Sequence, residues 1–483
     1  MDPSPENVLL LLTDQERYDL ADPNGLPVET PATDRLREEG RRFERAYTPI
    51  GICTSARASL LTGLYPHNHG LLNNCHEPDA VRPNLPAGLS TFGDLLADAG
   101  YDNSYVGKWH VGRDQRPADF GFRYTAGDAS AFGHDDPEFH AFQRRMGVDP
   151  DAVEVEDATR IDYGDRNLLL AGTLPIPPEA TLPAYVADVT IDALSAHADA
   201  DGPFLHRADF HGPHHPYLVP EPYASMYDPD EIEPWPNFHD DLVDKPGAHR
   251  EYLRYRGVDE LGWDEWADLI AKYFGLATMI EEQIARVLDA VDDLGLTDDL
   301  TVVRTADHGD LTGAHRGFNK GPMMYEEVYR IPLTVRSPGL TDPGTTTDAF
   351  VRLHDLMPTF LDLADVPIPS GLDARSLVPV LDGDGPDDWP ESVFVEYHGD
   401  EFGLYTQRMV RTERYKLVYN GPDVNELYDL RDDPAELDNR IDDPAYADGR
   451  EELTAILIDW MERTDDDWRL WIARSLRRDR FAG

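Results

Sequence analysis

The chain contains little cysteine, and its first residues lack the features of a membrane or secretion segment. Its 483 residues include two cysteines, Cys53 and Cys75, too few for a framework of disulfide bonds. The apolar run at residues 8–12 is too short to cross a membrane or to form the core of a signal peptide. No basic segment and no twin-arginine motif precedes this run. We therefore expect a soluble, cytoplasmic protein with no membrane partner.

Positive charge is also scarce. The chain has 43 lysine and arginine residues against 93 acidic residues, a formal net charge of −50 that is spread along its length. This excess repels itself in a compact fold, but in molar salt the Debye length falls to roughly 3 Å and the repulsion is screened. The composition therefore predicts a halophilic protein, and the lack of a basic patch argues against a nucleic-acid partner. Only five of the basic residues are lysines: Lys108, Lys245, Lys272, Lys320 and Lys416.

Apolar periodicity predicts alternating strands and helices over most of the chain. The predicted strands lie at residues 8–13, 204–210, 301–305 and 331–335, and the predicted helices at 91–99, 263–294 and 354–363. Such alternation is typical of an α/β fold with a large, mostly parallel sheet flanked by helices. Segments 113–180 and 219–262 are predicted to be irregular, and loops of that length are often functional.

The pattern changes after the Gly-, Asp- and Pro-rich residues 382–390. Short strands are predicted at 393–397, 408–410, 416–419 and 426–429, followed by a helix at 452–462. We interpret residues 386–483 as a small C-terminal antiparallel α+β subdomain, and residues 1–385 as the catalytic α/β domain.

Residues 51–63, GICTSARASLLTG, predict a short amphipathic helix that starts near Cys53 and ends at Gly63. The start of a helix offers unpaired N–H groups and the positive end of its dipole, so an anion on the Cys53 side chain would be stabilised. Arg57 lies about one turn further on the same face. The alternative is a buried structural cysteine, which packs as a small apolar side chain.

Polar residues follow two of the predicted strands. Asp14 and Gln15 come after the first strand, and Asp307 and His308 come after residues 301–305. The carboxyl ends of parallel strands meet at one edge of a sheet, and carboxylate, amide and imidazole groups are ligands for a divalent cation. The alternative is that these acids are solvated, as most acids of so acidic a chain must be.

Two of the scarce lysines and two histidines lie in tight loops. Lys108 and His110 belong to GKWHVG, Lys320 to FNKG and His214 to HGPHHP. Loops bounded by glycine or proline suit ligand contact better than core packing.

In their order along the chain, these segments resemble the motifs of the sulfatase family, in the alkaline-phosphatase-like superfamily. NVLLLLTDQ resembles its opening strand and metal motif, CTSARASLLTG its nucleophile signature, GKWHVG its second signature and PHHP its substrate histidine loop. TADHG followed by FNKG resembles its second metal motif and lysine, and ELYDLRDDPAEL its C-terminal subdomain. The metal motifs are most similar to the branch of choline sulfatases, heparan-type N-sulfatases and phosphonate monoester hydrolases. The family signature is Cys-x-Pro-x-Arg, whereas Ser55 stands at the proline position here.

The resemblance implies a role for each of these residues. A formylglycine-generating maturation enzyme would convert Cys53 to formylglycine (3-oxoalanine), and one divalent cation would be held by Asp14, Gln15, Asp307, His308 and residue 53. Ca²⁺ is the first choice, with Mn²⁺ and Mg²⁺ as alternatives. Arg57, Lys108 and Lys320 would stabilise charge on the sulfuryl group, His214 would protonate the leaving alcohol, and His110 would assist release of sulfate. Asn74 is a candidate substrate contact, and Asn73 is an equal candidate.

The implied activity is hydrolysis of a small, anionic sulfate ester by a metal-dependent enzyme. A phosphonate monoester or phosphodiester hydrolase on the same scaffold is one alternative, because phosphoryl and sulfuryl groups have the same shape. A non-catalytic anion-binding protein, with Cys53 left as a thiol, is the other.

Overall fold

The computed structural model of the chain describes residues 6–125, 136–163, 166–340, 342–381, 383 and 385–478. Over these residues the strands are β1 Asn7–Asp14, β2 Arg41–Tyr47, β3 Asp102–Gly107, β4 Arg123–Tyr124, β5 Glu156–Tyr163, β6 Arg166–Thr173, β7 Phe204–Pro213, β8 Tyr217–Val219, β9 Leu300–Ala306, β10 Leu333–Arg336, β11 Thr345–Arg352, β12 Ser392–Tyr397, β13 Gln407–Thr412, β14 Tyr415–Tyr419 and β15 Glu426–Asp429. The helices are α1 Pro31–Glu39, α2 Cys53–Thr62, α3 Pro66–His69, α4 Phe92–Asp98, α5 Pro137–Arg145, α6 Leu182–Ala198, α7 Gly247–Arg256, α8 Trp263–Asp293, α9 Glu326–Tyr329, α10 Leu356–Leu363, α11 Val378–Leu381, α12 Ala447–Arg463 and α13 Arg469–Arg478.

The largest sheet in this part of the chain has eight strands in the order β11-β2-β10-β9-β1-β7-β3-β4. Strand β10 runs antiparallel to both of its neighbours, and the other pairs are parallel. Residues 8–12 of the central strand β1 are fully buried, as expected of a strand covered on both faces. The predicted large, mostly parallel sheet flanked by helices is confirmed.

The helices bury apolar faces against this sheet and against one another. The long helix α8 packs on α1, α6 and β7, while α2, α4 and α10 contact each other. The side of α8 that is buried includes Trp266, Ile270, Phe274, Ile284 and Leu288. Among the described residues, no helix combines the length and the apolar character needed to span a membrane.

The C-terminal strands form a separate antiparallel sheet in the order β12-β13-β14-β15, as predicted. Helix α12 packs against β13 and β14, and α13 packs against α12. These elements share their own apolar cluster, which includes Val410, Leu417, Leu457, Trp460 and Ile472.

The two segments predicted to be irregular contain regular structure, so that prediction was wrong in part. Strands β5 and β6 form an antiparallel pair within residues 113–180, and β8 extends this small sheet. Helices α5 and α7 also fall within the two segments. Strand β5 was missed because its sequence, EDATRIDY, is mostly exposed and lacks an alternating apolar pattern. Residues 126–135 and 164–165 of the first segment lie outside the described part of the chain.

Candidate active site

A cavity of about 370 Å³ brings most of the predicted site residues together. Most of the residues that line it are of charged or polar type, and they are Cys53, Asn74, His76, Lys108, His110, His211, His214, His215, Pro216, Arg256, Asn319, Lys320, Asp400 and Glu401. Many of these residues follow β3, β7 and β9 or lie near their carboxyl ends, which is where parallel sheets bind ligands.

Helix α2 presents Cys53 as its first residue and ends at Gly63, whose φ of 69° is the left-handed conformation that glycine adopts readily. The predicted helix is therefore present. Its predicted amphipathic character was wrong, because all ten residues of α2 are buried. The reason is tertiary: α3, α4 and α10 pack around this helix and leave no solvent-facing side.

The side chain of Cys53 is buried among both positively and negatively charged groups. Its Sγ atom lies 3.1 Å from Nε2 of His308 and 3.8 Å from Oδ1 of Asp14. Burial alone would raise the pKa of the Cys53 thiol, but the positive charges of Lys108 and Lys320 outweigh this effect and hold the pKa well below its usual range. The site is therefore built to hold an anionic side chain at residue 53.

Arg57 makes an ion pair with each of three buried carboxylates. Its Nη2 donates to Oδ2 of Asp14 at 2.9 Å, its Nη1 to Oδ2 of Asp209 at 2.6 Å and its Nε to Oδ2 of Asp307 at 2.8 Å. Its Nη1 also donates to the carbonyl oxygen of Lys108. Arg57 is not among the described residues that line the cavity. It therefore fixes the positions of the carboxylates, and its predicted contact with a sulfuryl group stays a prediction.

Four buried side chains have the arrangement of a cation site. One ligand atom each from Asp14, Cys53, Asp307 and His308 lies within 4.8 Å of the others. Burial and the nearby charge of Asp14 raise the pKa of Asp307, as expected of two carboxylates held close together in the interior. Nδ1 of His308 lies 2.9 Å from the carbonyl oxygen of Gly309, so its Nε2 is the atom that faces the site. The two carboxylates fit a divalent cation that prefers oxygen ligands, and the imidazole of His308 is a further possible ligand.

Gln15 is held beside this cluster in a strained backbone conformation, with a φ of 65°. Its backbone N–H donates to Oδ1 of Asp307 at 3.1 Å, and its side-chain Oε1 accepts a hydrogen bond from Nζ of Lys320 at 2.8 Å. Whether this oxygen also binds a cation stays a prediction.

The two predicted lysines place positive charge next to Cys53. Nζ of Lys108 forms an ion pair with Asp14, and Nζ of Lys320 contacts Gln15 and also Asn319. Burial by itself would lower the pKa of Lys320, but the negative charges of Cys53 and Asp14 raise it above its usual value. Lys320 therefore stays protonated in the cavity.

Histidines also line the cavity. Nδ1 of His214 lies 2.5 Å from the carbonyl oxygen of His215, and the two rings stack. His110 has a φ of 52° and lines the same cavity as Cys53. Burial lowers the pKa of His110 to about 3. Nε2 of His110 lies 2.9 Å from Nδ1 of His76, a residue that the sequence did not single out.

The choice between Asn73 and Asn74 is decided by geometry. Asn74 lines the cavity, where its Nδ2 donates to Oδ2 of Asp400 at 3.0 Å. Asn73 instead accepts a hydrogen bond from the backbone N–H of Val81 at 2.9 Å and shapes the loop. Asn74 is thus the one of the two that a ligand in this cavity would meet.

Five residues of the site and its surroundings were not predicted from the sequence: His76, Asp209, Arg256, Asp400 and Glu401. Asp209 had a signal, because two charged residues, Arg207 and Asp209, stand among the apolar residues of a predicted buried strand. Asp400 and Glu401 had none, because they reach the cavity from the loop after β12. Arg256, the last residue of α7, donates to Oε2 of Glu401 in that loop at 2.8 Å.

Comparison with known proteins gives a consistent result. The sequence model of the sulfatase family matches residues 6–366, and that of the C-terminal region of N-sulphoglucosamine sulphohydrolase matches residues 313–463. The chain is 31% identical to the uncharacterized sulfatase YidJ of Escherichia coli K12, over 98% of this chain and 91% of the relative. It is 26% identical to an N-acetylglucosamine-6-O-sulfatase of Bacteroides thetaiotaomicron, over 95% of this chain and 87% of the relative. A phosphonate monoester hydrolase structure from Agrobacterium radiobacter superposes with a TM-score of 0.82 at 25% identity, over 95% of this chain and 96% of that one.

Proposed function

The chain belongs to the sulfatase family of sulfuric ester hydrolases, and we propose that it hydrolyses a small anionic sulfate ester through a formylglycine made from Cys53. The single observation that carries this proposal is the position of Cys53. Cys53 belongs to the buried group that also contains Asp14, Asp307 and His308. Among the described residues, it is the one member of this group that also lines the cavity, together with Lys108 and Lys320.

The proposal includes conversion of Cys53 by a formylglycine-generating maturation enzyme. The resulting aldehyde adds water and offers two hydroxyl groups in place of one sulfur. The surroundings that lower the pKa of the Cys53 thiol, chiefly Lys108 and Lys320, would favour an oxyanion at the same position. We also propose that the protein is cytoplasmic. The maturation enzyme would act on the chain there, before the chain hydrolyses any ester.

One divalent cation would be held by Asp14, Gln15, Asp307, His308 and residue 53. The oxygen ligands favour Ca²⁺, and Mn²⁺ and Mg²⁺ are the alternatives. Such a cation supplies Lewis-acid stabilisation of negative charge in the cavity. Arg57 keeps Asp14 and Asp307 oriented for this task by its ion pairs with both.

The residues of the chain carry the remaining steps. One hydroxyl of hydrated residue 53 loses its proton to water, and the resulting oxyanion attacks sulfur in line, bonding to sulfur as the bond from sulfur to the ester oxygen breaks. Lys108 and Lys320 stabilise the charge on the sulfuryl oxygens, and His214 gives a proton to the departing alcohol. His110 then takes the proton of the second hydroxyl, the aldehyde carbonyl re-forms and sulfate leaves. Water adds to the aldehyde again.

Hydrolysis of phosphonate monoesters is the second candidate. It is favoured by the superposition on the Agrobacterium radiobacter phosphonate monoester hydrolase over nearly the whole of both chains. Phosphoryl and sulfuryl groups present similar oxygens to the same lysines, so one cavity can accept either group.

Two measurements on the same preparation test these proposals. Peptide mass spectrometry across residues 43–82 should find the aldehyde in place of the Cys53 thiol. The values of kcat/KM for 4-nitrophenyl sulfate, bis(4-nitrophenyl) phosphate and 4-nitrophenyl phenylphosphonate should then be highest for the sulfate. A higher value for the phosphonate would support the second candidate. A fully unmodified thiol without turnover of any ester would instead support a non-catalytic anion-binding protein, and Cys53→Ala provides the baseline.

A further inference from the structure

We propose that His76 carries protons between His110 and solvent, acting through His110 during release of sulfate. This inference rests on the proposed function. Nδ1 of His76 lies 2.9 Å from Nε2 of His110, and Nε2 of His76 lies 3.0 Å from Oε1 of Glu77. His110 lines the cavity together with Cys53, so these contacts extend from the cavity through His110 and His76 to Glu77.

The path runs from the interior of the protein to its surface. His110 is only 8% exposed, whereas the side chain of His76 is 57% exposed and that of Glu77 is 19% exposed. His110 therefore has little direct contact with bulk water, and His76 has ample contact. An imidazole suits this position because it can take up a proton on one nitrogen while it releases another proton from the second.

The loop that carries His76 is held in place by bonds that do not involve its ring. Asp400 accepts hydrogen bonds from both the backbone N–H and the side-chain Nδ2 of Asn74. Arg113 donates through Nε to the carbonyl oxygen of Cys75 at 2.9 Å and through Nη2 to that of Glu77. His76 is thus fixed from both sides, so replacing its side chain should leave the loop in place.

The reaction requires such a path, because each cleavage of a sulfate monoester by water yields an alcohol, a sulfate dianion and one proton. His110 takes up this proton at residue 53 and must lose it before the next cycle. In the proposed relay, the proton passes from Nε2 of His110 to Nδ1 of His76, and a proton leaves Nε2 of His76 to Glu77 or water. No other bond forms or breaks, and contact with solvent lets His76 return to its first tautomer.

The relay is tested with His76→Ala and His76→Gln in a weakly buffered solution. The glutamine can keep a hydrogen bond to His110 but cannot carry a proton, so a purely structural role would be preserved in it. We expect kcat to fall at least about tenfold in both variants with KM unchanged within about twofold. Added imidazole should restore kcat in His76→Ala more than it changes kcat of the parent enzyme.

The control is His239→Ala, which alters an exposed histidine outside the cavity and should match the parent enzyme. An unchanged kcat in His76→Ala, full activity in His76→Gln, or a loss that imidazole does not reverse would each overturn the relay while leaving the sulfatase proposal standing. A parent enzyme that hydrolyses no sulfate ester, despite a converted residue 53, would overturn both proposals together.

Discussion

Sγ of Cys53 lies 3.1 Å from Nε2 of His308, although 255 residues separate them in the chain. The contact joins the first residue of α2 to the loop that follows β9, and it places residue 53 at the edge of the carboxylate cluster. Whatever chemical group residue 53 carries therefore faces the candidate cation site directly. The state of this one side chain is decisive for the activity.

Replacing Ser55 by proline should increase conversion of Cys53 to formylglycine. Ser55 is the third residue of α2, where the first turn leaves N–H groups without helical partners, so a proline fits there. The Oγ atom of Ser55 is buried and finds no hydrogen-bond partner in the described structure, so little is lost with it. The measurement is the fraction of aldehyde at residue 53, by mass spectrometry, when the maturation enzyme is limiting. Ser55→Ala is the matched control, and equal conversion in all three chains would contradict the prediction.

Lys108→Ala and Lys320→Ala should each lower kcat by more than about tenfold. Each variant removes a positive charge from the cavity in which we propose that the sulfuryl oxygens bind. Circular dichroism should show a folded protein in both cases. Lys272→Ala, which alters a lysine bonded to Thr173 and to the carbonyl oxygen of Ala224 outside the cavity, should keep normal kcat. Near-normal rates in both cavity variants would refute the proposed substrate pocket.

Removal of divalent cations by a chelator should lower both kcat and the melting temperature. Without a cation, the buried carboxylates of Asp14 and Asp307 repel each other, and bound metal stabilises only the folded state. Adding back Ca²⁺, Mn²⁺ or Mg²⁺ separately, with the melting temperature as the readout, ranks the three ions. In Asp307→Asn the stabilisation by added cation should be largely lost. A melting temperature that no cation changes in the parent protein would argue against the site.

The stability of the protein should decrease between about pH 6.5 and pH 9 through His67. Burial lowers the pKa of His67, but the carboxylate of Glu396, 2.7 Å away, outweighs it and raises the pKa to about 9. Between pH 6.5, the ordinary pKa of an unfolded histidine, and pH 9, His67 keeps its proton in the folded state but has lost it in the unfolded state. The contribution of His67 to the free energy of unfolding is complete below pH 6.5 and disappears as the pH rises through 9. The free energy of unfolding then falls by at most about 1.4 kcal/mol per pH unit.

Urea denaturation of the parent protein and His67→Gln across this range measures the effect. The variant should show a flatter dependence of the unfolding free energy on pH, and His239→Gln should behave as the parent protein does. Identical slopes in the parent and in His67→Gln would show that His67 is not the group responsible.

The melting temperature should rise when potassium chloride is increased from about 0.1 M to about 2 M. The net charge of −50 repels itself most at low ionic strength, and added salt shortens the range of this repulsion. Differential scanning calorimetry at several salt concentrations checks the direction. A melting temperature that falls or stays constant over this range would contradict a halophilic adaptation.

Local patterns in the sequence were sufficient to predict the α/β class, the C-terminal antiparallel sheet and most of the candidate site. The reason is that apolar periodicity encodes each buried strand or helix, and residues just after parallel strands must meet at one edge of the sheet. Asp14 and Asp307 were found in this way. Strand β5 was missed because its side chains are mostly exposed and bury too little apolar surface to leave a period. Helix α7 was missed because polar His249 and Arg256 share its buried face with Tyr252 and Leu253, so its apolar residues alone show little periodicity.

By itself, then, the sequence determined which residues could carry the chemistry: Cys53 at a helix start, acids after strands and two of the scarce lysines. Only the tertiary structure decided which partners these residues have. It gave Arg57 three carboxylates instead of a place in the cavity, chose Asn74 over Asn73 and brought His76 to His110. Such pairings depend on packing between segments far apart in the chain, and a local pattern holds no information about that packing.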